Sequence, residues 1–85
     1  MQTFTHIITD PLGLHARPAG MLAKTAAQYQ STITVSTPFG SADGKRIMAL
    51  MRLAAKEGAI LTITVDGEDE IAAAQDLKTF LIRHL

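Results

Sequence analysis

Apolar and polar residues alternate with a period of two in three stretches of this chain and recur with a helical period in three others. Between about Thr3 and Thr9, Phe4, His6 and Ile8 share one phase, and the β-branched content marks a strand. Ser31 to Thr37 sets Ile33 and Val35 against Thr32, Thr34 and Ser36, and Ile60 to Asp66 sets Leu61, Ile63 and Val65 against Thr62 and Thr64. Both read as strands with one buried face. Thr37-Pro38-Phe39-Gly40 predicts a turn that closes a hairpin onto a short strand near Ser41 to Asp43.

The helical stretches differ in how cleanly they divide. From Ala16 to Tyr29, Ala19, Leu22, Ala23 and Ala26 form one stripe. From Lys45 to Ala55, Ile47, Met48, Leu50, Met51, Leu53 and Ala54 cover more than one helical face, so some must stay exposed. After Gly67, the acidic Glu68, Asp69 and Glu70 suit the positive end of a helix, and Ile71, Ala74, Leu77 and Leu81 mark its buried stripe. Arg83 and His84 lie in its last turn, where His84 is expected to cap the helix. The resulting order, β-α-β-β-α-β-α, is that of an α+β fold with helices over one face of a sheet.

At 85 residues the chain has room for a single domain, 1–85. Eight basic and eight acidic residues cancel, which removes any general pull toward nucleic acid or an anionic membrane. The strands also lack the stacking aromatics of RNA-binding sheets. Without cysteine, neither disulfides nor thiolate-bound metal can support the fold. No run approaches the roughly 20 apolar residues of a membrane span, and the start of the chain lacks a signal peptide's basic and apolar segments. These features predict a cytoplasmic protein with no membrane insertion. His6, His15 and His84 are too scattered to form a metal-ligand motif, so no metal and no cofactor is expected. His6 and His84 read as structural, His6 facing inward or lying at a sheet margin.

His15 is different because the predicted helix begins immediately after it. A helix start presents amides without intrahelical acceptors and about half a positive charge, which together seat anions. An imidazole placed there could carry a phosphoryl group over the amides of Ala16 and Arg17. Arg17 adds planar, permanently charged donors suited to phosphate oxygens, and Pro18 gives up an N–H that the first turn would not use. Histidine fits as the nucleophile, since its ordinary pKa of about 6.5 leaves a neutral fraction near neutral pH. By chemistry alone, such a histidine is also an ordinary capping residue.

The run Gly13-Leu14-His15-Ala16-Arg17-Pro18-Ala19 resembles the phosphorylation-site signature of the HPr family of histidine phosphocarriers. The likeness extends over the whole chain. Ser31-Thr32-Ile33-Thr34-Val35 is similar to the family's second strand, Asp43-Gly44-Lys45 with Ile47-Met48 to its second-helix start, and Gly67-Glu68-Asp69 to the turn into its last helix. The resemblance implies an open-faced β-sandwich, a four-stranded antiparallel sheet with three helices on one face. It also implies a phosphocarrier rather than an autonomous enzyme, acting as a monomer between phosphorylated Enzyme I and IIA domains of sugar permeases or regulatory proteins. A regulatory carrier of the same fold, not dedicated to sugar transport, is the alternative.

A partner surface is expected around the site from Gly20, Lys24, Ile47, Met48 and Met51. The apolar surplus of the second helix favours an exposed patch over a purely structural reading, and methionine adapts to differently shaped partners. Lys24, Lys45 and Arg52 either ring that patch or are simply solvated. Two departures from the family stand out. Arg46 occupies the position where many Gram-positive members carry a regulatory serine, and Leu12 replaces a small polar residue beside the site. The first argues against control by serine phosphorylation there.

Overall fold

The computed structural model describes residues 1–85. The alternating stretches form β1 (Gln2–Ile7), β2 (Thr32–Thr37), β3 (Gly40–Asp43) and β4 (Ile60–Asp66), and the helical ones form α1 (Ala16–Ala27), α2 (Ile47–Arg52) and α3 (Glu70–His84). The strands make one antiparallel sheet in the order β1-β4-β2-β3. Register follows from the side-chain period: Phe4 lies opposite Ile63, Ile33 opposite Val65 and Val35 opposite Ile63, which puts the apolar residues of adjacent strands on one face. The other face carries the threonines.

The helices cover the apolar face. Pro18, Ala19, Leu22, Ala23 and Ala26 of α1 and Ala73, Ala74, Leu77, Phe80 and Leu81 of α3 are buried against Ile33, Val35, Leu61, Ile63 and Val65. Alanines let the helix backbones approach, while each fully buried leucine or isoleucine contributes about 1.5–3 kcal/mol. No helix is long and apolar enough to cross a membrane.

Three segments depart from the sequence expectation. The second helix is expected over 45–55 but spans six residues and buries only Leu50. Its start is delayed because Asp43 forms a turn, accepting the Lys45 amide on Oδ1 at 2.9 Å and the Arg46 amide on its main-chain oxygen at 3.1 Å. Beyond Leu53, Ala54 takes a left-handed φ of 51°, which a helix cannot continue through. Lys45 does not ring the patch: its Nζ donates to the Tyr29 carbonyl at 2.8 Å, just past the end of α1.

Tyr29 itself lies outside α1, and its hydroxyl donates to Asp76 at 2.6 Å, an interaction that pushes its pKa above the ordinary value. At the end of the first strand, the Thr9 amide and hydroxyl and the Asp10 amide all donate to the main-chain oxygen of Leu85, at 2.5, 3.1 and 3.2 Å. Segments 75 and 76 residues apart in sequence are thereby joined at the beginning of the loop that leads to His15. His84 provides no cap; its ring stacks on Phe80 with centroids 4.7 Å apart.

Candidate functional site

The loop into α1 is built before the site is. Asp10 Oδ1 accepts the Leu12 amide at 2.8 Å, and the Gly13 amide donates to the Asp10 carbonyl at 2.9 Å, closing the turn read from Asp-Pro-Leu-Gly. Gly13 has a φ of 68°, and any Cβ there would collide with the backbone of Ala55 and Lys56, so glycine alone fits. Leu14, 4% exposed, anchors the loop in the core, and its amide donates to Ala55 at 2.9 Å. The loop is fixed from both sides, and His15 follows from it.

His15 is the N-cap of α1, with extended backbone at φ −90° and ψ −175°. Its carbonyl accepts the Ala19 amide at 3.0 Å, the first intrahelical bond. Its side chain makes no capping bond. The half-buried imidazole is left available, beside first-turn amides of Ala16 and Arg17 that have no intrahelical acceptor. No acidic residue occupies that turn to neutralise its charge.

An open recess of about 340 Å³ lies against this helix start, lined by Asp10, His15, Arg17, Pro18, Met21 and His84. The molecule's one ion pair joins the Met1 amino group to Glu70, so the Arg17 guanidinium is not held by a carboxylate. The recess thus brings together an imidazole and an uncommitted guanidinium at a helix start, a donor set of the kind that suits an anion.

The surface residues divide. Ile47, Met48 and Met51 are 45, 63 and 37% exposed, and a Cβ on Gly20 would stand 4.0 Å from Ile47 Cδ1, which places Gly20 across from α2. Lys24 is exposed on α1 and Arg52 on α2. His6 lies elsewhere, half-buried on β1 beside a cavity of about 160 Å³, with its Nε2 buried and unpartnered.

Sequence reasoning missed three lining residues. Met21, 38% exposed, was legible because it falls four positions after Arg17 on the same helical face. Asp10 was read for its turn and not for its place on the recess. His84 had no sequence signal, since it is brought in by the packing of α3.

Comparison with known proteins supplies the context. The family model "PTS HPr component phosphorylation site" matches residues 2–83. The phosphocarrier protein HPr of Mycoplasma capricolum is 44% identical over 82 residues, covering 96% of this chain and 92% of that protein. That of Lysinibacillus sphaericus is 43% identical over 81 residues, covering 95% and 92%. Among solved structures, the histidine-containing phosphocarrier protein of Mycoplasma superposes with a TM-score of 0.94 at 43% identity, covering 96% of this chain and 93% of that one. HPr from Thermoanaerobacter tengcongensis gives 0.91 at 32% identity, covering 96% and 92%. Sequence likeness over nearly the whole chain and a shared backbone agree: the chain belongs to the HPr family, the histidine-containing phosphocarrier proteins of the phosphotransferase system.

Proposed function

We propose that His15 accepts a phosphoryl group from phosphorylated Enzyme I and passes it to a IIA domain. The single observation that carries this reading is the uncapped imidazole of His15 at the start of α1, opening on a recess that also holds Arg17. An unprotonated ring nitrogen of His15 attacks phosphorus as the bond from phosphorus to the donor atom of Enzyme I breaks. The departing atom keeps the electron pair and takes up a proton, so overall one PO3 group moves to His15 while one proton moves the other way.

The amides of Ala16 and Arg17 and the Arg17 guanidinium receive the phosphoryl oxygens. A helix terminus contributes about 0.3–1 kcal/mol at an exposed site, enough to favour uptake without trapping the group. Gly20, Lys24, Ile47, Met48 and Met51 form the face on which both partners dock in turn, with Met21 joining that face to the recess. The protein acts as a single domain and a monomer.

Incubation with Enzyme I and phosphoenolpyruvate, followed by intact mass measurement, is expected to show one added phosphoryl group that is lost in acid. An unchanged mass, or an acid-stable adduct, would contradict the proposal.

A further inference from the structure

We infer that His84 is a phosphoryl-binding residue whose ring N–H donates to an oxygen of the group carried on His15, an inference that rests on the reading of His15 above. The recess has six lining residues, and their chemistry is uneven. Arg17 supplies donors from α1. Pro18 has no N–H, Met21 is apolar, and Asp10 offers only acceptors and a negative charge that opposes an incoming phosphoryl group. With His15 occupied by the phosphorus itself, His84 is the one remaining lining side chain able to donate.

Its ring is exposed, and its position is set by one aromatic contact and by the backbone next to it. The ring packs on Phe80, which is 7% exposed, with centroids 4.7 Å apart and planes inclined at 34°. The next residue, Leu85, is 2% exposed, and its main-chain oxygen receives three hydrogen bonds from Thr9 and Asp10, at the beginning of the loop that delivers His15. The end of α3 and the site loop are therefore one unit, which holds the two imidazoles on one recess. The His84 ring makes no hydrogen bond within the protein, and an imidazole has at least one N–H donor in either protonation state. A phosphoryl group presents three acceptor oxygens, so a donor on the α3 side complements those from α1 and offsets Asp10.

The test is the equilibrium constant for phosphoryl exchange with Enzyme I, measured for the wild type, His84→Phe and His84→Gln. Phenylalanine keeps an aromatic ring against Phe80 and removes the donor, so the constant should fall by about tenfold, the order expected for one hydrogen bond to a charged group. Glutamine restores an N–H and should recover most of that loss. The melting temperature should follow neither change. If His84→Phe does not fold, His84→Leu takes its place against His84→Gln. Equal constants for the donor-lacking variant and the wild type would overturn the inference, as would a glutamine variant as weak as the donor-lacking one. Phosphorylation of wild type at His15 in that same experiment would leave the underlying reading intact, whereas a wild type that takes no group on His15 would overturn both.

Discussion

Two helices on the same side of the sheet begin in opposite ways. At the start of α3 the two acidic side chains are committed to other segments, although Asp69 gives no capping bond to the helix's own amides. Asp69 accepts the Gln30 amide at 2.8 Å, the Ser31 amide at 3.0 Å and the Ser31 hydroxyl, and Glu70 accepts the Gly67 amide at 3.2 Å and pairs with the Met1 amino group at 2.7 Å. The Ser31 hydroxyl, first among these contacts, holds the Asp69 carboxyl below its usual range. Gly67 has no side chain because a Cβ there would meet Ser31 Cα at 2.7 Å. The start of α1 likewise has no side-chain cap, but its N-cap is an extended histidine and its first turn holds no acid. Helix starts offer the same orphan amides in both places. Acidic side chains lock the start of α3 to the α1–β2 loop, whereas no acidic residue neutralises the first turn of α1.

The contrast is broken most completely at His15. His15→Ala should abolish phosphoryl uptake while leaving the melting temperature unchanged, since the side chain makes no capping bond; a mass measurement and a thermal melt check the two halves. Asp69→Ala should do the reverse, lowering the melting temperature by stranding Ser31, which is 1% exposed, while leaving uptake at the wild-type rate. The pH dependence has a definite sign. Because the folded-state carboxyl of Asp69 lies below its unfolded value, its contribution is complete above about pH 4. It drains away as pH falls through the lower, folded value. Acid denaturation curves of Asp69→Asn should therefore lose part of the steepness that the wild type shows below that pH.

Smaller effects sharpen the picture around the open site. Met48→Glu places a charge on a residue that is 63% exposed, and should weaken docking to Enzyme I by more than tenfold, about 1.4 kcal/mol, with folding unaffected. Calorimetric titration and a melt distinguish a docking residue from a core one. Arg46 is the N-cap of α2 and makes no side-chain cap bond there. Arg46→Ser introduces a favoured cap and removes a cation from the positive helix end, so it should raise stability by up to about 1 kcal/mol in a denaturant titration.

The strands and two of the three helices were legible because their periods are clean: Ile33 and Val35 alternate with threonine and serine, and the α1 stripe is unbroken. The second helix was legible in its existence and not in its extent, because a surplus of apolar residues reports composition and not length. Its limits are set by the local turn at Asp43 and by the positive φ of Ala54, neither of which an apolar period reports. The same division runs through the site. His15, Ala16 and Arg17 are contiguous, so the chemistry of a helix start could be read directly from them, and Met21 follows by helical spacing. Asp10 was visible as a turn residue, but its position on the recess depends on how the loop folds back. His84 is 69 positions from His15 and reaches the recess through the bonds between Leu85 and Thr9.

The claim that the open helix start is the working site is tested most directly by nitrogen-15 and phosphorus-31 NMR of the protein after phosphorylation by Enzyme I. The account predicts phosphorus coupling to one ring nitrogen of His15, accompanied by shifts in the amides of Ala16 and Arg17 and none at Gln30 or Ser31. Coupling to His6 or His84, or a phosphate on Ser31, would contradict it.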